Sequence, residues 1–349
     1  MKVLVVGPSW IGDMVMAQAL FLSLRQLYPT ATIDVVAPQW CAPILQRMPE
    51  VHTHIHLAVG HGELGLAVRK RLARAIRAMH YERAIVLPNS WKSALLPFLA
   101  KIPQRTGWRG EFRFGLLNDI RYLDVSRYRS TAERFVALAY PPGSDLPPLP
   151  QPRLTVSPEG VATARARYSL SATEPVLALC PGAAFGPAKC WPASHYTTVA
   201  RHKLEQGWQV WLFGSSQDRA VCQIVADLLP DRYAPRVFNL AGQTNLPQAI
   251  DLLFCADAVV SNDSGLAHMA AALGRNLVVI YGSTSPELAP PLNDNHRILY
   301  LDLGCSPCRK RECPLTHLDC LHKLMPERVF SALDELIPTT IPVRETDFL

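Results

Sequence analysis

Apolar, often β-branched residues in this chain come in short, nearly continuous runs, at 2–6, 31–37, 83–87, 175–179, 208–213, 258–260 and 276–281, with a weaker one at 238–242. Runs of that length without alternation suit strands buried on both faces. Between them the pattern shifts to a helical period. It predicts helices over about 14–28, 69–77 and 158–168, one from about 193, one opening near 265 and a last over 326–337. Strands alternating with helices in both halves predict parallel sheets covered on both faces. Six prolines among residues 141–152 forbid a regular helix or a central strand and mark a stiff connector. The expected class is therefore α/β, with one domain over 1–155, a second over 156–325, and a closing helix and tail over 326–349 whose last twelve residues look frayed.

The polar clusters fall where these strands end. After the run at 258–260 comes Ser261-Asn262-Asp263-Ser264-Gly265, then a helix rich in Ala and Leu. Asp263 or Ser264 is a natural N-cap, and the free N–H groups of a helix start make a ready anion site. His268 lies one turn further in, on Ser264's side. An ordinary capped turn and a seat for a nucleotide diphosphate both fit. The first loop, Gly7-Pro-Ser-Trp-Ile-Gly-Asp13, has the glycine spacing of a phosphate loop. Asp13 and Met14 stand where that motif needs Lys and Ser or Thr, and a carboxylate repels phosphate. The dinucleotide fingerprint G-x-G-x-x-G is absent as well. What remains is a carboxylate at a strand's carboxyl end, or a helix cap. Lys189 sits in a Gly- and Pro-rich loop after the run at 175–179, placed either to meet phosphate or simply to face solvent.

Composition narrows the classes. Of 349 residues 49% are hydrophobic and 18% charged, enough for sizeable cores. No apolar run reaches the ~20 residues of a membrane span, and the N-terminus reads as a strand instead of a signal peptide. A cytoplasmic protein with reduced thiols is expected. The net charge of +6 suits an acidic substrate or an anionic membrane face and is too small to imply nucleic acid. Basic residues cluster twice. Arg69 to Arg77 forms a basic helix with Leu72 and Ile76 on one side, either a solvated face or a membrane-docking one. Lys92, Arg105, Arg109 and Arg113 could hold a polyanionic acceptor, since guanidinium forks suit phosphate and carboxylate, or could be scattered surface arginines. Cys305, Cys308, Cys313 and Cys320, with His317 and His322 close by, allow a structural zinc site; disulfides or free thiols fit equally.

The first loop, Leu87-Pro-Asn-Ser-Trp-Lys-Ser-Ala94, Arg105-Thr-Gly-Trp-Arg-Gly110, Pro181-Gly-Ala-Ala-Phe-Gly-Pro-Ala-Lys189 with Trp191-Pro192, and Ser261-Asn-Asp-Ser-Gly-Leu-Ala-His268 occur in this order. Taken together the chain resembles the bacterial ADP-heptose:lipopolysaccharide heptosyltransferases, nearest their heptosyltransferase II branch. That resemblance implies two Rossmann-like domains facing across a cleft (the GT-B type), the last helix returning toward the first. It implies inverting transfer of L-glycero-D-manno-heptose from ADP-heptose to the first heptose of heptosyl-Kdo2-lipid A, without metal or other cofactor, by a peripheral protein on the cytoplasmic face of the inner membrane. Another inner-core acceptor, or a non-catalytic sugar-nucleotide-binding protein, are the alternatives. By the resemblance Asp13 is the catalytic base and Lys189 meets the donor's pyrophosphate. The Ser264 and Gly265 backbone holds phosphate, Asp263 a sugar hydroxyl, and His268 phosphate or a supporting bond. Ser216, Leu240 and Gly242 lie near ribose and adenine. Ser9, Trp10, Asn89, Ser90, Lys92, Arg105, Trp108, Arg109 and Arg113 face the acceptor. Ala183 and Ala184 replace threonines of some relatives, leaving only backbone contacts there.

Overall fold

The computed structural model describes residues 1–60, 63–171 and 173–337, and the chain divides into two compact units, Met1–Arg153 and Leu154–Leu349. The first opens with β1 (Lys2–Val6), α1 (Ile11–Leu27), β2 (Thr32–Ala37), a short α2 (Ala42–Leu45) and β3 (Thr53–His56). It continues through α3 (Leu66–Ala78), β4 (Arg83–Val86), α4 (Trp91–Leu99), β5 (Gln104–Trp108), β6 (Asp119–Arg121) and α5 (Thr131–Ala137). Every strand pair is parallel, in the order β3-β2-β1-β4-β5-β6. From Val3 to Val6 the central strand is buried, which explains its uninterrupted apolar run.

The second unit repeats the plan. Its elements are α6 (Pro158–Arg167), β7 (Val176–Cys180), α7 (Ala193–Glu205), β8 (Gln209–Leu212), α8 (Arg219–Asp227), β9 (Val237–Asn239), α9 (Leu246–Phe254), β10 (Ala258–Asn262) and α10 (Gly265–Ala272). β11 (Asn276–Ile280), β12 (His296–Leu299), α11 (Asp319–His322) and α12 (Pro326–Leu336) complete it. The parallel order is β12-β11-β10-β7-β8-β9. Counted within each unit, both sheets have strand order 3-2-1-4-5-6, which reverses direction between the first and fourth strands. In such sheets ligands bind at the carboxyl ends beside that reversal.

Several expectations shift. α1 starts at Ile11, so Asp13 is its third residue and no cap; the N-cap is Trp10, whose side chain makes no capping bond. In the arginine-rich segment around 105, Thr106, Gly107 and Trp108 turn inward, making Gln104–Trp108 a true strand. The basic helix α3 spends its apolar side, Ala73 and Ile76 with Leu72 against them, on the core under β1 and β4. Arg69 is buried too, its Nε donating to the Leu64 carbonyl at 2.8 Å. Of its basic residues Lys70, Arg71, Arg74 and Arg77 face out, and Leu66 in its first turn is its one exposed large apolar side chain among the described residues. α12 buries Val329 and Leu333 against the second unit's own core, alongside β11, β12 and α7. The expected frayed tail, 338–349, lies outside the described residues. No described helix is long and apolar enough to cross a membrane.

Candidate active site

In the second unit the reversal falls between β7 and β10, and the loops after those strands meet there. β7 feeds a segment ending in a single 3-10 turn, Pro187–Lys189. Asn262, at the end of β10 and fully buried, ties this segment down. Its Oδ1 accepts from the Trp191 backbone N–H (3.1 Å) and the Tyr196 hydroxyl (3.0 Å), and its Nδ2 donates to the Pro181 carbonyl (2.7 Å). With a second Nδ2 bond to the Gly182 carbonyl at 3.4 Å, all the bonding capacity of one amide is used to fix where Lys189 emerges.

Lys189 then reaches across the reversal. Its ammonium lies 2.6 Å from Asp263 Oδ2 and 3.2 Å from the Asp263 carbonyl, and 5.2 Å from the centre of the Phe185 ring. Thr284, just past β11, donates its hydroxyl to the same Oδ2 at 2.6 Å. Two of the three ammonium N–H donors are thus engaged and one remains for a ligand. Asp263 is 5% exposed and bonded from two sides, so its carboxylate positions the lysine rather than standing open to a sugar hydroxyl. His268 is likewise buried, its Nε2 4.0 Å from Asp263 Oδ1. Burial pulls its pKa below the ordinary 6.5, helped by Lys189 and opposed by Asp263, so the ring is neutral and supports the pair from behind. Ser264 caps α10 in extended conformation and leaves the first-turn N–H groups of that helix directed beside the lysine. An ammonium and a helix start at one strand end together carry the positive charge that a diphosphate requires.

Ser216 and Gly242 do come together. Gly242 has φ +68° and donates its N–H to the Gly214 carbonyl at 3.0 Å; a Cβ there would lie 2.9 Å from the Ser216 Cα. Leu240 is buried, its N–H donates to the Leu212 carbonyl (2.9 Å) and its carbonyl accepts from the Gln243 and Thr244 N–H groups (3.1 and 3.3 Å), so it shapes this turn from within.

Of the readings open for the cysteine segment, the structure has free thiols. Cys305, Cys308, Cys313 and Cys320 all line one small pocket with His317, Ala188 and Ser283. Among the described residues no group of three or more His, Cys, Asp or Glu side chains is placed to hold a metal ion, and all nine cysteines are free thiols. The segment braces the lysine loop instead. The Arg311 carbonyl accepts from Ala188 N–H (3.0 Å), the Ala188 carbonyl from Ser283 N–H (3.2 Å), and Arg311 stacks on Phe185 at 5.5 Å. Gly186, at φ +150°, allows this approach, since a Cβ would sit 2.6 Å from the Arg311 carbonyl oxygen.

In the first unit the reversal lies between β1 and β4. The loop after β1 delivers Ser9, Trp10 and, in the first turn of α1, half-buried Asp13, where the helix dipole favours a carboxylate. Asn89, Ser90 and Lys92 follow β4. The remaining acceptor candidates divide. Arg109 is exposed and lies over Tyr122 at 5.3 Å. Trp108 is a core residue whose indole N–H donates to the Arg134 carbonyl at 2.9 Å. Arg105 donates to the Leu116 and Ile102 carbonyls (2.7 and 2.6 Å), and Arg113, 2% exposed, to the carbonyls of Pro88 (2.8 Å) and Trp108. These three hold the β4 and β5 loops in shape and present no open fork. Asn262, Thr284, Phe185 and Arg311 had no role assigned from sequence. The first two were detectable, since each is polar and ends or follows a strand on the same sheet edge as the named motifs.

The profile of glycosyltransferase family 9 (heptosyltransferase) matches residues 69–319. Lipopolysaccharide heptosyltransferase 2 of Escherichia coli (strain K12) is 46% identical over 343 residues, covering 97% of this chain and 99% of the relative. Lipooligosaccharide heptosyltransferase 2 of Haemophilus influenzae is 44% identical over 347 residues, with 97% and 99% covered. The solved structure of E. coli ADP-heptose lps heptosyltransferase II aligns with a TM-score of 0.87 at 44% identity, over 96% of this chain and 98% of that one. A pair of Rossmann-ordered units with these motifs is a two-unit α/β glycosyltransferase. Within that class, the chain belongs to glycosyltransferase family 9, the heptosyltransferases.

Proposed function

We propose that the enzyme transfers L-glycero-D-manno-heptose from ADP-heptose to the first heptose of heptosyl-Kdo2-lipid A, with inversion at the anomeric carbon, at the cytoplasmic face of the inner membrane. The observation that carries this is the Lys189–Asp263–Thr284 cluster beside the start of α10 at the second unit's strand reversal. There the third lysine donor and the first-turn N–H groups take the pyrophosphate. As the glycosidic bond to ADP breaks, these fixed dipoles meet the growing charge on the leaving phosphate, so no further countercharge is required. Asp13 accepts the proton of the acceptor hydroxyl while its oxygen attacks the anomeric carbon from the opposite side. Ser9, Trp10, Asn89, Ser90, Lys92 and Arg109 supply the accessible acceptor contacts. The heptosyltransferase 2 relatives support the choice of acceptor.

The test is a transfer assay read by product mass. The native protein adds one heptose to heptosyl-Kdo2-lipid A from ADP-heptose, and Asp13→Asn lowers turnover by at least about a hundredfold. Unimpaired turnover in that variant removes Asp13 as the base. Product only on Kdo2-lipid A reassigns the acceptor.

A further inference from the structure

Past β5 the chain reads Phe112-Arg113-Phe114, and the three side chains separate sharply. Arg113 is 2% exposed, whereas Phe112 is 80% and Phe114 50% exposed, their rings edge to face at 5.5 Å. The arginine fastens the loop from beneath through the Pro88 and Trp108 carbonyls. The Glu111 backbone N–H donates to the Asn89 carbonyl (3.0 Å), and the Glu111 carboxylate accepts the Trp91 N–H (2.9 Å). The neighbouring loop after β6 adds Tyr122 and Val125, 69% and 62% exposed. Leaving such side chains in water forgoes the free energy that burial of apolar area supplies. Here a rigid scaffold holds them out. The second unit has no exposed aromatic of this kind among the described residues.

Charge says what covers the patch. Exposed Arg109 and Arg129 have no ion pair among the described residues, and Arg127 pairs only with the fully exposed Asp145. The two carboxylates within these loops, Glu111 and Asp124, already accept backbone N–H groups, Trp91's for the first and those of Ser126 and Arg127 for the second. Exposed aromatic rings on loops that also carry exposed arginines, one of them over the Tyr122 ring, suit an anionic lipid interface, where the rings enter the acyl boundary and the guanidinium groups meet headgroups. The loops after β5 and β6 also lie at the same carboxyl edge of the sheet as Asp13, with the Asn89–Trp91 loop between.

We infer that the loops after β5 and β6 dock the enzyme on an anionic bilayer, with Phe112 and Phe114 as the inserted wedge. The inference rests on the proposed function only in that a lipid-anchored acceptor offers its sugar at that surface.

The experiment compares the native protein with Phe112→Ser/Phe114→Ser and Phe112→Trp/Phe114→Trp. It measures flotation with phosphatidylethanolamine vesicles containing roughly a quarter phosphatidylglycerol, and transfer to vesicle-embedded and to deacylated, water-soluble acceptor. The serine variant, with an unchanged thermal midpoint, is expected to lose vesicle binding by about tenfold or more. It loses transfer to the embedded acceptor in parallel and keeps transfer to the soluble one, while the tryptophan variant binds at least as well as native. Native-like vesicle binding by the serine variant, or no vesicle binding by the native protein, overturns the docking face. Failure of the native protein on both acceptors overturns the reaction instead, and flotation still decides the docking face.

Discussion

At the scale of single residues, the proposed donor seat depends on how one ammonium is shared. Thr284 donates to the oxygen of Asp263 that also pairs with Lys189, so removing its hydroxyl leaves the carboxylate freer to hold the lysine back from a ligand. Thr284→Val keeps shape and loses about 1 kcal/mol of hydrogen bonding. A roughly fivefold rise in KM for ADP-heptose is expected, and an unchanged KM would show that the hydroxyl has no part in positioning. His268 gives a pH prediction. Its folded pKa is depressed by burial, and that of His195 by burial and His322, so the unfolded chain takes up these protons first. Their stabilising effect is complete above the ordinary value of 6.5 and is lost as pH falls below it. Thermal midpoints should therefore decline below that pH, and less steeply in His268→Gln; equal slopes would clear His268 of responsibility.

At the scale of elements, the loop between β5 and β6 shows why residue type alone misleads. Arg105, Arg109 and Arg113 are alike in sequence. Only Arg109 is exposed, because the parallel pairing of β5 turns Trp108 into the core and the following turn brings Arg113 under it. Arg113→Met would strand the Pro88 and Trp108 carbonyls and cost about 2 kcal/mol in denaturant unfolding. Arg109→Met, at an exposed position, should stay within about 0.5 kcal/mol and act on acceptor KM instead. The reverse ranking would contradict the assignment of Arg113 to the scaffold. The cysteine segment makes a related point. Its spacing left zinc, disulfides or free thiols open; in the fold its backbone clasps Ala188 and its four thiols line a pocket. Burial and the three neighbouring thiols push Cys320 up to about 11, a protonated and unreactive state.

At the scale of the whole molecule, the proposed reaction divides its groups between two units of one strand order. The lysine, the α10 start and the Ser216–Gly242 contact all belong to Leu154–Leu349, and Asp13 to Met1–Arg153. Asp13→Asn is therefore expected to leave ADP binding within about twofold of native by calorimetry while turnover collapses; a parallel loss of binding would mean that the carboxylate serves the donor. The sequence by itself determined the α/β class, most strand positions and the clusters at strand ends. Buried parallel strands need unbroken apolar runs, and ligand groups must sit where such strands stop. It also carried the motifs by which the family is known. Only the tertiary structure decided which charged side chains are free and which are fasteners. Asp263 serves Lys189, Arg113 and Arg105 serve backbone carbonyls, and α3 keeps its apolar side for the core. A carboxylate or guanidinium has the same local pattern whether it meets a ligand or a carbonyl. The difference lies in what the fold brings to within 3 Å from residues distant along the chain.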